Sequence, residues 1–183
     1  MSGPRPGYCA RSEILEWARS RSGQTNLPGL IRRLIHETGK GVVSLGFPTE
    51  EGVQSGGWDG TVRASEATTH IPLGMSLWEL SVGRAITRKI ECDFNKRTCP
   101  EDGSPAVGPD GTPIADCTYV QVLLAPWQKH DDWAMDKRAL GLWGDVRGYN
   151  VDMIYDWVEQ APVTHAWLSE LIGLTPHGVQ PIE

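Results

Sequence analysis

GWDGTVRASEATTHIPLGMSLWELSV, residues 57–82, holds two consecutive stretches that alternate with a period of two. From Asp59 to Ala67, the residues Asp59, Thr61, Arg63 and Ser65 fall on one face and Val62 and Ala64 on the other, the pattern of a half-buried strand. From Ser76 to Val82, Leu77, Glu79 and Ser81 share a face while Trp78, Leu80 and Val82 share the opposite one. If the two strands pair as a hairpin, Asp59 near the start of the first and Glu79 toward the end of the second lie side by side. Gly57 and Gly60 let the two backbones approach closely there.

Upstream, Val42 to Phe47 is a β-branched and aromatic run between Gly41 and Pro48, which predicts another strand. Before it, Leu27, Leu30, Ile31, Leu34 and Ile35 recur at i, i+3, i+4, i+7 and i+8, the apolar stripe of a helix. Thr25 or Asn26 can cap that helix, Pro28 suits its first turn and Gly39 ends it. A shorter helix is expected over Ser12 to Arg21. Downstream, a helix over 84–96 carries Arg84, Arg88, Lys89 and Lys96, with Arg97 just after it.

Residues 100–116 contain four prolines and three glycines and read as an irregular loop. Tyr119 to Ala125, YVQVLLA, is nearly all apolar and belongs inside a sheet, covered on both faces. A helix over 131–140, a strand over 146–149 and helices over 151–160 and 162–172 complete the pattern. The expectation is one α/β domain over residues 12–173, with an αβββαβ core, a mixed sheet flanked by helices and extra C-terminal helices. Residues 1–11 read as a flexible start and 174–183 as a linker toward a downstream module.

The composition narrows the function. Seventeen Lys and Arg against 23 Asp and Glu give a net charge of −6, so any nucleic-acid contact must be a local patch. Cys9, Cys92, Cys99 and Cys117 form no CxxC pair and read as free thiols of a cytoplasmic protein. No apolar run approaches a membrane span, and none at the start resembles a signal peptide. There is no P-loop and no nucleophile-elbow serine motif. A small-molecule or NAD-cleaving activity has no nucleotide-binding signature behind it.

Two adjacent carboxylates at a strand edge repel, a cost that a shared divalent cation removes. Mg²⁺ takes one or two carboxylates and fills its remaining positions with water and phosphate oxygens. Each residue also has a plainer reading. Asp59 suits a turn, Glu79 can point outward from a half-exposed strand, and the basic residues of 84–97 can form a solvated helix face. Trp58 alone of the eight tryptophans stands where it can meet a ligand.

The element order, Asp59 within GWDG and Glu79 within WELS resemble the PD-(D/E)XK restriction-endonuclease-like superfamily. More narrowly, IPLGMSLWELSVGRAITRKIECDFNKRT (71–98) with Ala125-Pro126-Trp127 resembles the nuclease-like N-terminal modules of bacterial antiviral STAND-type NTPases. The resemblance covers about residues 12–173. It implies a Mg²⁺-dependent endonuclease, with Mn²⁺ as a substitute, acting on double-stranded DNA. It also implies activation through homo-oligomerisation by a downstream module. Asp59 and Glu79 would hold the metal, with Glu37 of the first long helix as a further ligand. Arg84, Arg88, Lys96 and Arg97 would meet DNA.

The superfamily pattern has Lys two residues after the Glu, where this chain has Ser81. In some relatives the lysine comes from the following helix, and Lys89 is the corresponding candidate, with Arg88 and Lys96 as substitutes. Without such a cation the same fold would be an inactive interaction or DNA-recognition module.

Overall fold

The computed structural model describes residues 5–48, 57–83 and 87–176. In chain order the elements are β1 (Arg5–Pro6), α1 (Arg11–Ala18), α2 (Arg21–Thr38), β2 (Val42–Gly46), β3 (Gly60–Ala64), β4 (Gly74–Ser81) and α3 (Thr87–Thr98). After them come β5 (Cys117–Leu123), α4 (His130–Ala139), β6 (Asp145–Tyr149), α5 (Val151–Glu159), α6 (Pro162–Leu171) and β7 (Leu174–Thr175).

Five strands form one mixed sheet in the order β2-β3-β4-β5-β6. The first three make an antiparallel meander, and β5 and β6 join it in parallel, each reached through a helix. That change of direction follows from the connections. Antiparallel neighbours can be joined without a crossover, whereas the parallel neighbours β5 and β6 are each reached through one, α3 and α4. All seven residues of β5 are buried, as its apolar run predicts, and β5 lies in the sheet interior.

The sheet is covered on both faces. One core joins α1, α2, α5 and α6 to Val62, Trp78, Val120 and Val122, and the other joins α3 and α4 to Leu77, Tyr119, Leu123 and Val146. Leu27, Ile31, Leu34 and Ile35 of α2 all lie in the first core. Leu34 and Val122 are fully buried. Replacing Leu34 by alanine is therefore expected to lower the unfolding free energy by about 2–5 kcal/mol, measured by urea denaturation.

Several boundaries differ from the sequence reading: α1 ends at Ala18 and not at Arg21, and α3 runs on to Thr98 and includes Arg97. Helix α2 begins at Arg21, where Ser20 Oγ accepts a hydrogen bond from the Gly23 amide, so Ser20 is the cap in place of Thr25 or Asn26. Pro28 consequently sits inside the helix. The carbonyl it leaves without a partner belongs to the exposed Gln24, which water can reach.

Residues 5–6 and 174–175, expected in a flexible start and a linker, pair in parallel as β1 and β7. Gly7 N donates to the Thr175 carbonyl and Cys9 N to Ser169 Oγ, both at 2.9 Å. Burial of Cys9 and Leu174 draws both segments onto the domain. The rest of the expected linker, residues 177–183, lies outside the described residues. All four cysteines are free. Among the described residues no helix is long and apolar enough to cross a membrane.

Candidate active site

The β3–β4 register runs from Ala64 opposite Gly74 to Gly60 opposite Trp78, so one further step sets Asp59 against Glu79. Two glycines make this corner possible. A Cβ on Gly60 would fall 2.0 Å from the Phe47 ring, and Gly57 takes a left-handed φ of +75° with the Arg97 guanidinium against it. Asp59 lies just before β3, and its Oδ2 accepts a hydrogen bond from the Leu80 amide at 2.8 Å. That bond fixes the carboxylate at the edge of β4.

Along β4, Leu77 packs in the α3–α4 core and Trp78 in the opposite one, so Glu79 and Ser81 face α3. Glu79 is 6% exposed. Burial pushes its carboxyl up to about 7; Arg97 pulls it down, while Asp59 and Asp93 push it further up. The register and the Leu80 bond set the Asp59 carboxylate beside Glu79, where its charge opposes the ionisation of Glu79.

Helix α3 divides its residues by spacing. Ile90 and Phe94 are buried, and Glu91 ties the helix to α4 through Trp133 Nε1 at 2.8 Å and Lys137 Nζ at 2.6 Å. Lys89, Asp93 and Arg97, four residues apart, form a stripe directed at β4. Lys89 Nζ donates to Ser81 Oγ at 3.2 Å and to Asp93 Oδ2 at 2.7 Å. Arg97 Nε donates to Glu79 Oε1 at 2.6 Å, its Nη2 donates to the Gly57 carbonyl, and its guanidinium carbon lies 4.5 Å from the Trp58 ring centre. Arg88 and Lys96 are exposed.

From β5, Gln121 reaches across to the same place. Its Nε2 donates to the Glu79 carbonyl at 3.3 Å and Ser81 Oγ at 3.4 Å, and its Oε1 accepts from Tyr119 Oη at 3.0 Å. A cavity of about 670 Å³ adjoins, lined by Trp58, Lys96, Arg97 and residues of the 100–107 loop.

Asp59, Glu79, Lys89 and Arg97 therefore come together, and Lys96 lies on the neighbouring cavity. Arg84 lies outside the described residues. Glu37 is a correction. It belongs to α2, against the opposite face of the sheet, and its carboxylate caps α6 by accepting from the Val163 and Thr164 amides at 2.9 and 2.8 Å. Burial opposes its ionisation, but those bonds and one from the Thr164 hydroxyl hold it below its ordinary value. Trp58 is also not free to meet a ligand with its whole face. It is buried edge-on against Tyr119 and Trp143 and carries Arg97 over its ring.

Asp93 and Gln121 did not emerge from the sequence reading. The signals for them were the four-residue step from Lys89 and the one amide within YVQVLLA. Among the described residues, no three His, Cys, Asp or Glu side chains converge as a metal site. The donor set is two carboxylates, with Asp59 Oδ1 and Glu79 Oε2 uncommitted among the described residues. Such a pair fits Mg²⁺, which completes its shell with water and phosphate oxygens.

No family model, curated protein or solved structure matches this chain.

Proposed function

We propose that this chain is a Mg²⁺-dependent endodeoxyribonuclease of the PD-(D/E)XK type, with a restriction-endonuclease-like core and Mn²⁺ as an alternative metal. In this reading it is the effector of a bacterial antiviral STAND-type protein of the cytoplasm, switched on when several copies are brought together. The observation that carries the reading is the delivery of Lys89 Nζ from α3 to Ser81 Oγ, on the β4 face that bears Glu79. Ser81 occupies the place where the resemblance calls for a lysine, and a cation reaches it from the helix.

The reaction is hydrolysis of a phosphodiester: water adds to phosphorus, the bond to the leaving oxygen breaks, and the ends are a phosphate and a hydroxyl. When bound, the metal would activate the water and polarise the phosphate. Asp59, fixed by the Leu80 amide, and ionised Glu79 would hold it. The Lys89 ammonium offsets charge that grows on the phosphate oxygens, and Asp93 keeps the ammonium on the β4 side of the helix. Gln121 orients the Ser81 hydroxyl toward Lys89.

Supercoiled plasmid incubated with the artificially multimerised chain should be nicked or linearised with Mg²⁺ or Mn²⁺ and left intact with EDTA. Absence of cleavage by the multimer with either metal would overturn the reading. The charge of −6 weakens the hold of one copy on DNA, and clustering supplies the avidity. Lys96, exposed at the cavity, is expected to contribute one phosphate contact. Lys96→Ala should weaken DNA binding and lower the slope of log affinity against log salt by about 0.9, measured by fluorescence anisotropy.

One observation favours a second reading. Arg97 already neutralises Glu79 at 2.6 Å, as a purely structural ion pair would. The chain would then be an inactive nuclease-fold module for DNA or protein recognition. It would bind DNA with the same affinity in Mg²⁺ and in EDTA.

A further inference from the structure

We propose that Arg97 is a substrate-operated gate on the metal site: it holds Glu79 until a DNA phosphate draws its guanidinium away, so that metal and DNA bind cooperatively. This rests on one part of the nuclease reading, that Glu79 is a metal ligand, and it assigns that site its regulation.

Arg97 has contacts on two sides. On one, Nε is bonded to Glu79 Oε1 at 2.6 Å; on the other, the residue lines the cavity shared with Trp58 and Lys96. Its anchor on the strand side consists of one carboxylate oxygen, the Gly57 carbonyl and the Trp58 ring. The guanidinium and a divalent cation both seek the same carboxylate. With Arg97 in place, a cation at Glu79 meets a like charge at close range, and its binding is opposed. A phosphodiester carries the same single negative charge as Glu79 but offers the guanidinium two oxygens where Glu79 gives one, at the wall where Arg97 already lies.

The cavity wall also carries Glu101 and Asp102, which add acidic charge to the cavity that Lys96 and Arg97 line. A lone phosphate is therefore weakly held there, and a polyanion with further contacts along its backbone is needed to displace Arg97. Metal would then enter the site mainly when DNA is present. The coupling is reciprocal: DNA raises metal affinity by the same factor as metal raises DNA affinity.

Mg²⁺ binding to the full chain can be followed by calorimetry at pH 8.5, with and without a 16-base-pair duplex whose linkages are phosphorothioate to prevent cleavage. The wild-type chain is expected to bind Mg²⁺ at least fivefold more tightly with duplex than without. Arg97→Met should bind Mg²⁺ about tenfold more tightly than wild type without duplex and show little further gain with it. Arg97→Lys, which keeps the charge but loses the fork, should fall between, and it carries the test if the methionine variant does not melt cooperatively.

Mg²⁺ affinity that is unchanged or weakened in both folded variants, or wild-type affinity indifferent to duplex, overturns the gate and leaves the nuclease reading standing. No Mg²⁺ binding by any of the proteins overturns both. The expected affinities without plasmid cleavage by the multimer would retain the gate and reject the nuclease.

Discussion

Lys89→Ala is expected to lower the rate of plasmid cleavage by at least about a hundredfold while leaving the melting temperature within about 2 °C of the parent. A single well-placed charge stabilising a transition state contributes roughly two to three powers of ten to the rate. The thermal expectation follows from position. Lys89 has an exposed side chain whose partners are Ser81 Oγ and an i,i+4 bond to Asp93, and such surface pairs contribute less than about 1 kcal/mol. Asp59→Ala should abolish cleavage too, at a greater thermal cost, because the Leu80 amide at the end of β4 loses its acceptor. Full activity of Lys89→Ala would remove Lys89 from the reaction and shift the role to Arg88 or Lys96 of α3. Asp93→Asn offers a check on positioning. It should lower the maximal rate of cleavage more than it raises the DNA concentration for half-maximal rate, since Asp93 touches Lys89 and not substrate.

The pairing of Asp59 with Glu79 was legible in the sequence because period-two alternation fixes which residues share a strand face, and two adjacent alternating runs imply a hairpin. The approach of Lys89 to Ser81 was legible only through the resemblance, whose pattern has a lysine at the Ser81 position. The partner of Glu79 was not. Arg97 reads as one more cation in a basic run. Only the crossing of α3 over β4, set by Ile90, Phe94 and the bonds of Glu91 to α4, turns it inward. Glu37 failed for the complementary reason. Its position on the polar side of a helix is plain, but which face of the sheet that helix covers is decided by contacts with α5 and α6, more than a hundred residues away. The same long-range contacts explain the start and end of the domain, where β1 and β7 pair although neither has a strand signature.

In metal-free buffer, stability is expected to fall as pH rises from about 5 to about 8, and Glu79→Gln should remove most of that slope. The carboxyl is pushed from its ordinary 4.5 to about 7, chiefly by burial. A group with a raised folded pKa stabilises the fold fully below its unfolded value. That contribution is lost as pH climbs through the folded value, because the folded state then binds the proton that the unfolded state has released. At about 1.4 kcal/mol for each tenfold in proton affinity, the loss between 4.5 and 7 is on the order of 3 kcal/mol. Burial sets the direction of the shift; of the groups that face Glu79, Arg97 from α3 favours the ionised form, while Asp59 before β3 and Asp93 of α3 oppose it, and Tyr119 of β5 lines the same pocket. Buried His70 contributes the opposite trend. Its pKa is lowered by burial, so its protonation destabilises the fold as pH falls below its ordinary 6.5. Comparing the variant with the parent at each pH cancels His70 and isolates Glu79. Urea midpoints at pH 5, 6, 7 and 8 in EDTA give the two slopes. With saturating Mg²⁺ the parent should lose its decline toward pH 8, since a cation held by the ionised carboxylate favours the form that burial disfavours. A variant whose slope equals the parent's would show that Glu79 titrates near its ordinary value, already held ionised by Arg97.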